Sequence, residues 1–151
     1  MTGPTTVTPL TEKELPALAA LLASEGLPNQ DITAAGRRFW RLNGPDGLAG
    51  YGGLEVYGRD GLLRSVVVLP ERRRKGMGRA VVEAIVREAE ALGLDRLWLL
   101  TTGAAGFFER IGFERVERRE APPDIRNSAQ FAGLCPASAV CLRRDFAQQN
   151  T

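Results

Sequence analysis

Residues 72–80 read Arg-Arg-Arg-Lys-Gly-Met-Gly-Arg-Ala, five cations and two glycines in nine positions. Before them stands the apolar run Val66-Val67-Val68-Leu69-Pro70, and after them an amphipathic pattern begins. Strand, glycine turn and helix in that order make an anion site. A helix N-terminus presents amides without intrahelical partners and a partial positive charge, and a phosphate placed there is held by backbone N–H groups. Gly76 and Gly78 let the backbone come close, since a side chain would fill the anion's place. Arg73, Arg74, Lys75 and Arg79 add long-range attraction, so the turn suits a diphosphate. It is not a G-x-x-x-x-G-K-[ST] phosphate loop. Nor is it a G-x-G-x-x-G dinucleotide fingerprint, because the third glycine position holds Val81.

The elements that must position this turn follow from periodicity. Thr5 to Pro9 reads as a first strand. Thr11-Glu12-Lys13-Glu14 is a capping-box pattern opening a helix to about Glu25, with Leu15, Leu18, Ala19 and Leu22 on one face and Gly26 as terminator. Residues 27–36 hold at most one helical turn. Strands are expected at 37–42, 48–57 and 62–68, joined by the turns Asn43–Gly47 and Gly58–Gly61. A helix is expected over 79–92, with Val81, Val82, Ala84, Ile85, Ala89 and Leu92 inward and Gly93 at its end. The apolar strand 97–101 follows, then a short helix over 103–110. Two last strands, 113–118 and 138–143, flank a long loop. The expected fold is α/β, a mixed, splayed central sheet of about seven strands flanked by helices, in a single domain over 1–151. The sheet is mixed because the helix 79–92 links strands that must run parallel.

Composition sets the bounds. The chain has 151 residues, 44% hydrophobic and 25% charged, with a net charge of +2, so the cationic run is local. A local patch favours a small anion over a long polyanion. The run also lacks the interleaved aromatics of single-strand binders, so no nucleic-acid partner is expected. There is no histidine, which excludes Ser-His-Asp and Cys-His machinery and the usual zinc sites. No metal is expected. Cys135 and Cys141 do not make a disulfide framework, and a cytoplasmic location fits them. The N-terminus has no signal pattern and no stretch suits a bilayer, so no membrane partner is expected.

The string from Arg64 to Thr102 resembles the acetyl-CoA-binding core of the GNAT N-acetyltransferase superfamily. That family's signature is Arg or Gln, two residues, Gly, one residue, then Gly or Ala. Here it is Arg73-Arg74-Lys75-Gly76-Met77-Gly78 after Val68-Leu69-Pro70. Downstream, residues 104–113, Ala-Ala-Gly-Phe-Phe-Glu-Arg-Ile-Gly-Phe, resemble the family's Ala-x-x-Phe-Tyr-x-x-x-Gly-Phe segment. The two motifs are in register over residues 5–118. The resemblance implies an acetyl-CoA-dependent N-acetyltransferase with a small-molecule amine acceptor. It implies that pantetheine pairs with the backbone of Val66, Val67 and Val68, and that the pyrophosphate lies on amides from Arg74 to Arg79, Met77 included. Phe108 departs from the family, which often has a tyrosine there to protonate the leaving thiolate. Tyr51, Tyr57 or water must then serve, or the thiolate leaves unassisted. A non-catalytic acyl-CoA-binding or interaction module is the alternative that this departure keeps open, along with transfer to a protein or antibiotic amine.

Tyr51, Glu55 and Tyr57 share one strand face by alternation. Either that face is solvated, or it lines the acceptor site with Glu55 taking a proton from the amine. Arg64 is either a salt-bridge partner or a clamp for a substrate carboxylate. The tail, Pro122 to Leu142, resembles the end of small acetyltransferases associated with arsenic resistance and of some amino-acid acetyltransferases. Within it Arg126, Ser128, Gln130 and Phe131 make a polar-aromatic group that reads as substrate-binding. The tail alternatively covers the sheet or makes a contact between the two copies of a homodimer.

Overall fold

A computed structural model describes residues 5–34, 36–73 and 76–146. Seven strands form one mixed sheet in the order β1-β2-β3-β4-β5-β7-β6. They are β1 (Thr6–Pro9), β2 (Arg37–Gly44), β3 (Gly47–Tyr57), β4 (Asp60–Val68), β5 (Arg96–Thr101), β6 (Glu114–Val116) and β7 (Val140–Asp145). Four helices flank it: α1 (Leu15–Ser24), α2 (Met77–Ala91), α3 (Ala105–Arg110) and α4 (Pro123–Arg126). The expected class of mixed α/β sheet is the one that forms. Contacts divide the chain into two compact units, residues 5–55 with 63–88, and residues 56–62 with 89–146.

In the first unit β1, β2 and β3 are antiparallel neighbours, with Thr6 opposite Asn43 and Arg37 opposite Glu55. One core forms where α1 lays Leu18 and Leu22 against Ile32, Phe39, Tyr51 and Val67. Burying each of those two leucines contributes about 1.5–3 kcal/mol. A second core forms where Val81 and Ala84 of α2 meet Leu42, Val66 and Val68. Two glycines make this close packing possible. A Cβ on Gly50 would lie 2.4 Å from the Val67 carbonyl oxygen, and one on Gly52 would lie 2.6 Å from Ile85 Cγ1.

In the second unit the start of β4 runs parallel to β5, Asp60 opposite Arg96. β7 lies antiparallel to both β5 and β6. Leu62, Trp98, Ile125 and Cys141 form its core.

Several boundaries differ from the sequence expectation. Thr11 opens only a 3-10 turn over Glu12–Glu14, its amide donating to Glu14 Oε1 at 3.0 Å. The α-helix starts at Leu15, where Pro16 in the first turn costs no hydrogen bond. α2 begins at Met77, so Gly78 and Arg79 belong to its first turn. The long loop before the last strand contains α4 and a wide helical turn of i to i+5 type over Gln130–Leu134. The last strand runs to Asp145 and inserts between β5 and β6.

Candidate functional site

The glycine turn stands where the motif requires it. β4 ends at Val68, Pro70–Arg72 make one 3-10 turn, and α2 starts at Met77. Gly76 has φ +86° and an added Cβ there would meet nothing within 4 Å. Gly76 is therefore needed for its backbone conformation and not for lack of room at its Cβ position. The Gly76 carbonyl accepts from the Ala80 amide at 3.0 Å, the first bond of the helix. The amides ahead of Ala80 lack such partners by helix geometry. Arg73 is exposed, donates through Nε to the Val68 carbonyl at 3.1 Å and pairs with Glu25. Arg79 is exposed, and Met77 packs against the α2 core. Arg74 and Lys75 lie outside the described residues. Val66 and Val68 pack against the α2 core, partly buried, while Val67 is buried in the α1 core.

A buried charge network lies in the same unit. Arg64, with no side-chain exposure, forks onto Asp31: Nη1 to Oδ2 and Nη2 to Oδ1, both 2.6 Å. Its Nη1 also donates to Glu55 Oε2 at 2.8 Å, and its Nε to Ser65 Oγ at 3.2 Å. Arg37 donates to Asp31 Oδ2 at 3.0 Å and lies 3.8 Å from Glu55 Oε2. Phe39 lies under the Arg64 guanidinium at 5.7 Å. Burial pushes the Asp31 carboxyl up, but the hydrogen bonds from Arg64 and Arg37 outweigh it and hold it below the ordinary value. Burial lowers the Arg64 pKa, yet Asp31 and Glu55 together raise it. Of the two readings of Arg64, the salt-bridge partner is the one the geometry displays. Glu55, only 1% exposed, is not part of a solvated face.

Tyr51 is buried in the α1 core, and that burial raises its pKa, helped by the Glu14 carboxylate. Tyr57 belongs to the second unit and packs beside the Trp98 core. Phe108 is buried there too, edge-on to Phe107 at 5.0 Å and Phe113 at 5.5 Å. Among the tail residues, Arg126 is exposed at the end of α4. Ser128 is buried, its hydroxyl donating to the Ile125 carbonyl at 2.6 Å, which gives it a structural task. Gln130 is 4% exposed, and Phe131 is half-buried beneath Arg118 at 5.9 Å. Burial pushes the Cys141 thiol up to about 11, so it stays protonated near neutrality. Among the described residues no group of three metal-ligating side chains occurs, and no helix is long and apolar enough to cross a membrane.

Sequence reasoning missed Asp31, Arg37, Glu25 and Ser65. Ser65 has φ +57°, a left-handed residue inside β4. That conformation costs on the order of 1–3 kcal/mol for a non-glycine residue. No glycine marks it in the sequence. The signal for Asp31 and Arg37 was their opposite charge near a buried strand, readable only once their partners are known.

The fold is a mixed α/β sheet whose fourth strand leads through a glycine turn into a helix. The chain belongs to the GNAT acetyltransferase family: the family model for the acetyltransferase (GNAT) domain matches residues 35–115. The uncharacterized N-acetyltransferase YsnE of Bacillus subtilis is 35% identical over 103 residues, 64% of this chain and 65% of that protein. An amino-acid acetyltransferase of Mycobacterium tuberculosis is 36% identical over 85 residues, 54% of this chain and 48% of that one. The match thus spans about half to two thirds of these relatives' length. Among solved structures, N-acetylglutamate synthase from Neisseria gonorrhoeae, complexed with coenzyme A and N-acetyl-glutamate, has a TM-score of 0.78 at 20% identity. It covers 97% of this chain and 36% of that one. The ribosomal-protein-S18-alanine N-acetyltransferase of Escherichia coli has a TM-score of 0.70 at 19% identity, covering 97% of each chain.

Proposed function

We propose that the protein is an acetyl-CoA-dependent N-acetyltransferase acting on the primary amine of a small, amino-acid-like molecule. The observation that carries this is the open glycine turn between β4 and α2, with Gly76 at φ +86° and Arg73 beside it. Acetyl-CoA is the co-substrate. Its pyrophosphate sits on the amides of Gly76 to Arg79, Arg74 and Lys75 add charge, and its pantetheine pairs with the backbone of Val66–Val68. Family membership and coenzyme A in the gonococcal structure support this.

The reaction is direct transfer. Holding both reactants removes their translational freedom. The neutral amine attacks the thioester carbonyl, an amide near Val67 stabilises the oxyanion, and coenzyme A leaves as the thiol. Because Glu55 is buried, it accepts the amine proton through an intervening water. Tyr51, held protonated, is a donor for the thiolate, with Tyr57 the other phenol. A cysteinyl intermediate is disfavoured by the high pKa of Cys141. The family resemblance assigns Phe108 to the cofactor, and the tail's resemblance assigns Arg126, Ser128, Gln130 and Phe131 to the acceptor. The likeness to amino-acid acetyltransferases favours this acceptor class, while the S18-alanine enzyme shows that the fold also serves protein amines. The thiols of Cys135 and Cys141 suit a reducing cytoplasm, and we take the chain as one functional domain, with a homodimer open.

The second reading, a non-catalytic acyl-CoA-binding module, is favoured by Phe108, which cannot donate a proton. Calorimetry with acetyl-CoA followed by a thiol-release screen of amino acids, polyamines, aminoglycosides and peptides separates the two. Absence of binding rejects both readings. Binding without thiol release from any amine selects the second.

A further inference from the structure

We propose that Arg37 and Arg64 form a receptor for the acceptor's carboxylate, and that Asp31 fills it as a surrogate until an acceptor arrives. This deepens the reading of an amino-acid-like substrate and rests on it.

Three donors converge on one carboxylate. Arg64 Nη1 and Nη2 each stand 2.6 Å from an Asp31 oxygen, and Arg37 Nη2 adds a third bond at 3.0 Å. A planar fork onto two oxygens is how arginine recognises any carboxylate, whether it comes from the protein or from a ligand. Phe39 below and the Ser65 hydroxyl at Nε hold the guanidinium in place.

Asp31 is suited to leave. It lies outside the sheet, on the connection between α1 and β2, and its side chain is 13% exposed while that of Arg64 has none. Its neighbours are anchored. Ile32 is buried in the α1 core, and the Ala34 amide donates to the Asp31 carbonyl at 3.0 Å. Rotating one short side chain therefore uncovers the arginine without moving the loop. An incoming carboxylate replaces the ion pair that Asp31 gives up, and Asp31 regains its hydration. An amine without a carboxylate leaves Arg64 buried with one partner fewer, which is the costly outcome for a buried charge. The device thus selects acceptors by their carboxylate. It also places them: Arg64 Nη1 touches Glu55 at 2.8 Å, so the α-amine of a bound amino acid, two bonds from its carboxyl carbon, comes to the Glu55 side.

The test is rescue by a small carboxylate. Asp31→Ala is melted at pH 7.5 in sodium acetate and in sodium chloride of equal ionic strength. Acetate is expected to raise its melting temperature by about 3 °C or more, as a ligand binding only the folded state does, and to shift the wild type by less than about 1 °C. Adding Arg64→Met should abolish the difference. If Asp31→Ala folds in acetate alone, that too supports the receptor. If it folds in neither salt, Asp31→Asn decides: calorimetry should show it binding acetate at least about threefold more tightly than the wild type. Equal responses of variant and wild type, no response in a folded variant, or unchanged acetate affinity in Asp31→Asn would overturn the proposal. No readout involves acetyl transfer. An acetate response without amino-acid turnover rejects the acceptor class alone, and turnover without an acetate response rejects the receptor alone.

Discussion

Arg73, the residue that opens the glycine-turn motif, is ion-paired with Glu25 at the end of α1. A carboxylate from the protein thus occupies the cation that the proposed pyrophosphate needs. Arg73 is about half exposed and Glu25 about a quarter, so the pair is a weak one. Glu25→Gln should tighten acetyl-CoA binding by roughly two- to fivefold, the equivalent of an exposed ion pair. Arg73→Ala should weaken it about tenfold or more, as loss of a charge-assisted bond does. Calorimetry at two salt concentrations checks both, and the Glu25 effect should shrink at the higher one.

Gly76 should resist every replacement for a backbone reason. Space around its Cβ position is open, so the penalty comes from φ +86°. Gly76→Ala should cost on the order of 1–3 kcal/mol of stability and weaken acetyl-CoA binding. A variant that melts and binds like the wild type would remove the turn from the cofactor site.

Glu55→Gln should lower kcat by about a hundredfold or more, the scale of a lost general base, with cofactor affinity near that of the wild type. It should also melt earlier, because Arg64 loses one of its carboxylates. A folded Glu55→Gln that melts earlier but keeps the wild-type kcat would make Glu55 structural.

Asp31 should help set the acid limit of stability. Its folded pKa lies below the unfolded value, because Arg64 and Arg37 favour the charged form over the opposing effect of burial. Its contribution is therefore complete above the unfolded pKa of about 3.9 and disappears as pH falls through the lower folded value. Asp31→Asn should flatten the stability curve below about pH 4. Denaturant midpoints measured from pH 2 to 7 would show it.

The strand–glycine turn–helix unit was legible because its signals are local. A strand, two glycines, four neighbouring cations and a helix are contiguous, and a turn that must be glycine announces itself. The short apolar strand β5 was equally plain, and so was the α2 face except at Leu92, which lies past the helix end and is exposed. The charge network was not legible, since Asp31, Arg37, Glu55 and Arg64 come from a loop and three strands and meet only through strand register. The Tyr51, Glu55 and Tyr57 face stayed open between solvent and acceptor site, because alternation cannot tell two buried faces from one. The left-handed Ser65 carries no compositional mark, and nothing in the tail announced that a wide turn would bury Gln130 while leaving Arg126 outside.

The insertion of β7 between β5 and β6 has a consequence for how the chain is made. β5 leaves the ribosome about forty residues ahead of the strand that pairs with it from Arg96 to Thr101, and β6 waits for the same partner. At translation speeds of about 5–20 residues per second, that delay is roughly 2–8 s. Throughout it the apolar Leu97-Trp98-Leu99 edge has no β7 to cover it, which makes the nascent chain a customer for chaperones and vulnerable to premature stops. Ribosome-bound chains halted before Val140 should be cut readily by protease in the second unit, and chains extended far enough to free Asp145 from the exit tunnel should become resistant.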